Sequence, residues 1–369
     1  MHQKIWTVLL GACAAIASVP EVVVGGTVFE QTNLITSATD PDLINPWGVS
    51  FTPTSPFWVS DNGTGKSTLY NSVGAKQGLV VSMPTGSSPI TGQVFNSSAN
   101  FNSDRFIFAS ENGTIAGWRN SLGTQAEQLF SVTDAVYKGL AISNSKGNLF
   151  AANFHSGAID VFDSTHTAPV GSFSDPNTPA GYAPFNIQNI GGTIYVTFAL
   201  QDGAKHDDVS GAGHGFVDVF NPNTDTFTRL VTGTDAGGAV SALDSPWGMA
   251  IAPSSFGTFA GDLLVGNFGD GTINAFDPVT GAFLGTLTDV NGNPIVNPGL
   301  WGLTFGNGGS GGLTTSLYIT AGGAGEDTGV LAQLTAVPEP STLMMSLIFL
   351  GMFSTFATYV RPLQKATSA

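Results

Sequence analysis

The sequence has little cysteine and little positive charge. Cys13 is the single cysteine, and 11 lysines and arginines stand against 26 aspartates and glutamates. One cysteine cannot form an intramolecular disulfide or a paired-cysteine metal site, so the fold depends on its packed core. The net charge of −15 argues against a nucleic-acid partner, because neutralising phosphates requires clustered Lys and Arg.

Several catalytic motifs are also missing from the chain. It has no glycine-rich phosphate loop, no Gly-x-Ser-x-Gly elbow and no His-Glu-x-x-His sequence. What it has instead is 48 glycines, 20 prolines and 42% hydrophobic residues. This composition is too apolar for a disordered chain and too rich in glycine for a helix bundle, so it predicts a β-rich globular protein.

The N-terminal residues 1–17 have the pattern of a secretory signal peptide. Lys4 precedes an apolar run that ends in the small residues Ala15 and Ala17. A charged start, a short apolar stretch and an Ala-x-Ala site are the three parts of such a signal, so we expect export. Residues 10–13 also resemble a bacterial lipoprotein box, in which Cys13 would be lipidated.

The C-terminal residues 337–365 form a second targeting segment. Pro338, Glu339 and Pro340 precede an uncharged stretch at residues 343–360, which is followed by Arg361 and Lys365. Eighteen helical residues extend about 27 Å, which is just enough to span a bilayer. Positive charges after the span place this end in the cytoplasm and the rest of the chain outside.

The order of motif, span and basic end resembles the PEP-CTERM sorting signal of Gram-negative bacteria. The resemblance implies recognition by the membrane enzyme exosortase near the Pro-Glu-Pro motif. It further implies membrane anchoring through the C-terminal helix before processing, followed by a place at the cell surface or in the extracellular matrix. The basic end departs from the family, since two spaced charges replace a tight arginine cluster. A plain C-terminal anchor is the alternative.

Six repeats lie between these segments. Residues 45–51 and 245–251 share Pro-Trp-Gly, and residues 300–305 share Trp-Gly. Each copy is followed by a strand, a turn and another strand, and most copies then add a fourth strand. Asn-Gly and Asp-Gly pairs such as Asn62-Gly63 and Asn112-Gly113 predict type I′ hairpin turns. The repeats align on Gly48, Gly92, Gly139, Asn186, Gly248 and Gly302.

Four antiparallel strands repeated every ~50 residues are typical of a β-propeller. We therefore predict an all-β, six-bladed β-propeller over residues 28–334. The last repeat lacks a fourth strand, and residues 28–35 offer a spare one. We predict that this N-terminal strand completes the last blade and closes the ring.

The body also resembles a family of exported β-propellers that carry PEP-CTERM tails and have no assigned activity. The resemblance rests on residues 45–70, 137–163, 180–220 and 245–277 together with the tail. It implies location and architecture rather than chemistry. More distantly, the chain is similar to NHL-type and lactonase-type six-bladed propellers.

Polar residues fill the turns between the second and third strands of the repeats. Such turns gather on one face of a propeller, around the central channel. A ring of carboxylate and amide oxygens there is the ligand set that Ca²⁺ prefers, which makes Ca²⁺ the candidate cofactor. The alternative is that these are ordinary turn residues. The candidates are Asp61, Glu111, Asn153, Asp202, Asn267 and Asp270.

The fourth repeat contains an insertion at residues 201–215 that is rich in titratable side chains. It holds His206, Asp207, Asp208 and His214, and His155 lies in the corresponding turn of the neighbouring repeat. A histidine beside carboxylates can bind a metal or serve as a general base. Local capping and pairing of the aspartates with a lysine is the alternative.

These patterns favour a non-enzymatic, exported surface or matrix protein. Its propeller would present a polar face to a ligand such as an exopolysaccharide or a surface protein. The alternative is a metal-dependent hydrolase of the lactonase type, with His206 or Asp208 as the base. Trp47, Trp247 and Trp301 are expected to pack between blades rather than to be exposed for stacking against sugars.

Overall fold

The computed structural model describes residues 26–87, 89–143, 147–233 and 240–337. Within these ranges the chain forms 24 strands and four short 3₁₀ turns, and it contains no α-helix. No helix there has the length and apolarity that a bilayer span requires. The predicted signal peptide (1–17), the sorting motif at Pro338 to Pro340 and the predicted span (343–360) lie outside the described residues.

The strands form six antiparallel sheets of four, which are the blades of a propeller. Each of the first five blades is built from consecutive strands. Blade 1 contains β2 (Pro46–Ser50), β3 (Phe57–Asp61), β4 (Lys66–Tyr70) and β5 (Lys76–Ser82). Blade 2 contains β6 (Ile90–Phe95), β7 (Phe106–Ser110), β8 (Thr114–Trp118) and β9 (Glu127–Ser131). Blade 3 contains β10 (Tyr137–Ile142), β11 (Leu149–Asn153), β12 (Ala158–Phe162) and β13 (Gly171–Phe173).

Blades 4 and 5 continue the pattern, and each repeat identified in the sequence supplies one blade. Blade 4 contains β14 (Tyr182–Ile190), β15 (Thr193–Leu200), β16 (Phe216–Asn221) and β17 (Thr226–Val231). Blade 5 contains β18 (Pro246–Ile251), β19 (Leu263–Asn267), β20 (Ile273–Phe276) and β21 (Phe283–Thr286). The six-bladed all-β prediction is confirmed.

Blade 6 joins the two ends of the described chain. It contains β22 (Leu300–Phe305), β23 (Leu317–Ala321), β24 (Val330–Val337) and, as its outer strand, β1 (Val28–Thr36). β1 pairs antiparallel with β24, from Val28 opposite Val337 to Thr36 opposite Val330. The predicted closure by the N-terminal strand is confirmed, and it covers an edge of β24 that would otherwise be unpaired.

The repeated glycine stands where the first strands of neighbouring blades come closest. A Cβ on Gly48 would lie 2.8 Å from the carbonyl oxygen of Thr91, and one on Gly248 would lie 2.2 Å from the carbonyl oxygen of Trp301. These distances leave no room for a side chain. Glycine therefore recurs at this position because the first strands leave no space for a side chain near the centre of the ring.

The type I′ turns predicted from Asn-Gly pairs are wrong. Such a turn needs a positive φ at both central residues, yet neither Asn62 nor Asn112 has one. In blade 1 the turn is a 3₁₀ segment, Asn62–Thr64, closed by Gly65 at φ 65°. In blade 2 Gly113 has a φ of 78°, so each of these two turns contains one left-handed glycine where a type I′ turn would need two successive positive φ angles.

Few cations are present, and most of those described neutralise acids at the blade edges. Arg229 lies 2.5 Å from Asp218 and 3.0 Å from Asp175. Desolvation raises the pKa of Asp218 to about 6, although Arg229 opposes this shift. Lys76 likewise pairs with Asp40 at 2.8 Å and with Asp42 at 2.6 Å. Lys138, by contrast, lies at the propeller axis.

Candidate functional site

One end of the central channel is closed by aromatic rings. Trp47 and Trp301 stack with ring centroids 3.5 Å apart, and Trp247 meets them edge-on at 6.1 and 5.7 Å. All three are buried. They come from the first strands of blades 1, 5 and 6, which meet only near the axis. The expectation that these tryptophans pack internally is confirmed.

The tryptophans belong to a layer contributed by all six first strands. Each member immediately precedes the anchor residue of its repeat, so the side chains stand at the same height around the axis. We call this set the plug layer. It consists of Trp47, Thr91, Lys138, Phe185, Trp247 and Trp301.

Lys138 is the charged member of the plug layer. Its side chain is only 2% exposed, and its Nζ lies 2.5 Å from Glu111 Oε1 and 3.4 Å from Asp207 Oδ1. The ammonium also lies 5.1 Å from the ring centre of Trp47, within cation–π range. Sequence reasoning missed this residue. A lysine where three repeats have tryptophan was the signal that could have revealed it.

Hydrogen bonds continue from Glu111 around the plugged end. Asn62 Nδ2 donates to Glu111 Oε2 at 3.4 Å, and Asn45 Nδ2 donates to Asn62 Oδ1 at 3.3 Å and to Glu326 Oε2 at 2.6 Å. The indole N–H of Trp301 donates to Asn45 Oδ1 at 2.9 Å. Desolvation raises the pKa of Glu326, and the bond from Asn45 opposes this shift. The network thereby ties blades 6, 1 and 2 together.

On its other side, Lys138 is linked to the insertion of blade 4. His206 Nδ1 lies 2.9 Å from Asp207 Oδ1, the same oxygen that faces Lys138. Desolvation raises the pKa of Asp207, but the charge of Lys138 and the hydrogen bond with His206 outweigh it, so this pKa lies below its usual value. An ionised Asp207 is therefore favoured.

Glu111, His206 and Asp207 are the predicted candidates that the structure brings together. One ligand atom from each lies within 4.8 Å of the others, and no other such group of three occurs in the described part of the chain. Ca²⁺ takes about six to eight oxygen ligands, which two carboxylates and an imidazole do not provide. Imidazole with carboxylates suits a transition metal better. The ammonium of Lys138 already pairs with both carboxylates, so a metal would have to compete with it.

Four other candidates have partners within their own blade or its loops and do not join this group. Asp61 Oδ2 accepts a bond from Thr68 Oγ1, and Asp270 Oδ1 accepts one from Thr272 Oγ1. In the same way, Asn153 donates to Asp160 Oδ2 at 2.9 Å, and Asn267 donates to the carbonyl of Ala242 at 2.8 Å. Their contacts are those of residues that organise a turn or a blade.

The insertion at residues 201–215 is folded on itself. Asp202 Oδ1 accepts the backbone N–H of His206 at 2.9 Å and that of Asp207 at 3.3 Å. His214 Nδ1 lies 2.8 Å from the carbonyl of Val209. Asp202 and His214 therefore shape the loop, while His206 and Asp207 lie at the plugged end.

Two remaining candidates, Asp208 and His155, and one residue that was not predicted also lie in or near the insertion. Desolvation raises the pKa of Asp208, although a nearby serine and Lys138 oppose this shift. His155 is half-buried in the corresponding turn of blade 3. Sequence reasoning missed Asp244, whose Oδ1 accepts the N–H of Gly211 at 2.7 Å and so fixes the insertion to the loop before blade 5.

The opposite end of the channel is open. A cavity of about 310 Å³ lies among the first strands, beyond the plug layer. Trp247 is at its inner end, and the ends of the first strands form its mouth. No charged residue is among the described residues that line it. Its polar lining side chains are Ser50, Gln93, Asn186, Gln188, Asn189 and Thr304.

Comparisons with known proteins place the chain among uncharacterized relatives. Two proteins of Acanthamoeba polyphaga mimivirus are each 34% identical to it. Uncharacterized protein R648 matches over 291 residues, which are 72% of this chain and 69% of that protein. Uncharacterized protein L690 matches over 295 residues, which are 73% of this chain and 75% of that protein. No protein-family model matches the chain.

Solved structures share the fold at low sequence identity. Virginiamycin B lyase from Staphylococcus aureus is similar with a TM-score of 0.51 and 11% identity, covering 84% of this chain and 100% of that one. A streptogramin B lyase structure gives a TM-score of 0.50 and 11% identity, covering 85% and 98% of the two chains. At this identity the likeness shows the propeller fold alone.

Proposed function

The chain belongs to the same family as the uncharacterized mimivirus proteins R648 and L690, and we propose that it is an exported, non-enzymatic binding protein of the cell surface or extracellular matrix. The observation that carries binding is the open channel mouth, a cavity of about 310 Å³ whose described lining residues include no charged side chain. General acid–base catalysis needs a titratable group in reach of the substrate, and a ligand in this cavity would meet none. Its chemistry therefore favours binding over conversion.

The proposed location rests on the two targeting segments of the sequence. The signal peptide at residues 1–17 would direct export, and the tail at residues 337–365 would be sorted by an exosortase-type enzyme. The net charge of −15 is compatible with a protein that works outside the cell and away from nucleic acid. An exopolysaccharide or a surface protein is the proposed partner.

The location is tested by fractionating cells that express the full chain. We expect the protein in the envelope and the medium. Replacing Pro338, Glu339 and Pro340 with alanines should hold it in the inner membrane. A matched control replaces three residues outside the motif, Thr367, Ser368 and Ala369, with glycines and should leave sorting unchanged. Retention of the wild-type chain in the cytoplasm would overturn the proposal.

A metal-dependent hydrolase is the second candidate. The observation in its favour is the group formed by Glu111, His206 and Asp207, whose ligand atoms lie within 4.8 Å of one another. Asp208, next to this group, is its candidate base. Metal analysis of the purified chain tests it, with His206→Ala as the variant and His166→Ala as the control on an exposed loop. The absence of stoichiometric metal would remove this candidate.

A further inference from the structure

We propose that the open mouth of the channel binds the uncharged end of a saccharide, a site on the propeller face opposite to the one that the sequence pattern favours. This inference rests on the proposed binding function and names its ligand class. It starts from the difference between the two ends of the channel. One end is closed by the plug layer, and the other opens into the cavity of about 310 Å³.

The size of the cavity limits the ligand. Small-molecule sites usually have volumes of about 300–1,000 Å³, so this one is at the lower limit. A polymer could insert only its end, or a single projecting unit, while the rest of the ligand stays at the rim. The site therefore suits a terminal or single projecting unit of a chain and is too small to enclose a whole protein loop.

The lining excludes charged ligands. The cavity is bounded by amides, hydroxyls, backbone and apolar side chains, without a lysine, arginine, aspartate or glutamate among the described lining residues. A charge that loses water without a counter-charge pays a large desolvation cost. Phosphorylated sugars and uronic acids are thus disfavoured, and a neutral ligand is favoured.

The polar groups of the mouth are the kind that hydroxyls pair with. Ser50 Oγ is buried and has no hydrogen-bond partner. Gln188 accepts the backbone N–H of Met249 with Oε1 at 3.2 Å, and its NH₂ group has no partner within the described residues. Amides and hydroxyls both donate and accept. Adjacent ligand hydroxyls, which also do both, would satisfy these groups.

The backbone adds further groups of the same kind. Every first strand is the last member of its sheet, so one of its edges has no strand partner. Neighbouring blades use part of this edge, as when Gln93 Nε2 donates to the carbonyl of Gly48 at 3.1 Å. The remaining N–H and C=O groups near the axis need water or a ligand. A polyhydroxylated ligand can replace that water.

Aromatic side chains supply the apolar part of the site. Phe51 and Phe95 are half-buried at the mouth, and Trp247 lies at the inner end. A sugar ring has apolar C–H faces as well as hydroxyl edges, and aromatic faces with their partial negative charge suit such C–H groups. The ring of Phe95 already lies 5.3 Å from the Arg105 guanidinium. Phe51 and the NH₂ group of Gln188 therefore match the two surfaces of a sugar.

Isothermal titration calorimetry on the purified full chain in detergent tests the inference. The probes are the neutral trisaccharides maltotriose, cellotriose and chitotriose, with trigalacturonate as the charged comparison. We expect at least one neutral trisaccharide to bind and trigalacturonate to bind at least tenfold more weakly. Equal or tighter binding of trigalacturonate, or binding of no neutral probe, would overturn the inference.

Two variants locate the site. Gln188→Leu and Ser50→Ala each remove hydrogen-bonding groups, and each should weaken neutral binding by roughly five- to tenfold. Ser50→Ala removes no internal hydrogen bond, since Ser50 Oγ has no hydrogen-bond partner, so it remains informative if Gln188→Leu fails to fold. Asp327→Asn, exposed on the plugged face, is the matched control.

The results separate the two proposals. Saccharide binding that both cavity variants leave unchanged would refute this site while the proposed binding function stands. If no neutral probe binds but the chain is still retained on isolated cell envelopes, the ligand class is refuted and the surface function is kept. If no neutral probe binds and the chain is not retained on isolated cell envelopes, both the saccharide site and the surface function are refuted.

Discussion

The side-chain amide of Asn186 donates a 2.7 Å hydrogen bond to the backbone carbonyl of Trp247 in the next blade. The corresponding repeats have glycine at this position. A Cβ on Gly248 would lie 2.2 Å from the carbonyl of Trp301, and one on Gly302 would lie 2.7 Å from that of Trp47. At the glycine positions the backbones of neighbouring blades touch directly. At Asn186 the side-chain hydrogen bond takes the place of that backbone contact.

Substituting an anchor glycine should destabilise the ring. Gly248→Ala places a methyl group against backbone that cannot move away, so we expect a loss of about 1–3 kcal/mol in the free energy of unfolding. Urea denaturation measures it. Gly78→Ala is the matched control, because nothing lies within 4 Å of a Cβ there, and we expect a change within about 0.5 kcal/mol. Equal stability of the two variants would contradict the steric explanation.

The sequence predicted blade number and closure because both depend on local periodicity. Each first strand carries its own anchor, and β1 was recognisable as a strand without a partner. The contacts of the plugged end depend instead on distant residues. Glu111 and Asp207 are far apart in sequence. The place of Lys138 before its anchor marked it as unusual, but only the folded ring shows that both carboxylates are its partners. The prediction of a type I′ turn at Asn62 was wrong because the composition of a turn does not determine its φ angles.

The N-terminal strand should stabilise the propeller through Phe29. This side chain is 1% exposed, and its ring lies 4.7 Å from that of Phe256 in blade 5. Phe29→Ala should therefore cost about 3–5 kcal/mol in the free energy of unfolding. Glu30→Ala, exposed on the same strand, is the control and should behave like the wild type. A small effect of Phe29→Ala in urea denaturation would show that β1 contributes little.

The buried ion pair at the plugged end should depend on both partners. Lys138→Met keeps the aliphatic stem against Trp47 but leaves Glu111 without its cation, and removing one partner of a buried pair costs about 3–5 kcal/mol. The double variant Lys138→Met, Glu111→Gln should recover much of that loss, because no buried charge is left unpaired. Chemical denaturation of the single and double variants measures the coupling. Additive losses would contradict the pairing.

The same lysine should control metal binding. Because its ammonium pairs with Glu111 and Asp207, Lys138→Met should raise the affinity of this group for Zn²⁺ or Mn²⁺ relative to the wild type. Calorimetric titration with each metal measures this. The control is Lys138→Met combined with His206→Ala, which should lose the gain. Unchanged metal affinity in Lys138→Met would show that the lysine does not compete for this site.

Ionisation of Asp61 should lower the free energy of unfolding as pH rises. Desolvation and the nearby charges of Asp40 and Asp42 raise its pKa well above 3.8, and the hydrogen bond from Thr68 only partly opposes them. The folded state then holds a proton that the unfolded state releases near pH 4. The stabilisation is complete below that pH and is lost as pH rises through the raised pKa. Asp61→Asn is neutral throughout and should escape this loss.

Thermal unfolding of both proteins between pH 3.5 and 8 measures the difference. The Tm of Asp61→Asn relative to the wild type should increase with pH from about pH 4 upward. Asp277→Asn is a control of opposite sign. Backbone hydrogen bonds from Thr280 and Val279 lower the pKa of Asp277, so the stability it contributes is lost as pH falls. Parallel Tm curves for the wild type and Asp61→Asn would mean that Asp61 ionises in the fold as it does in water.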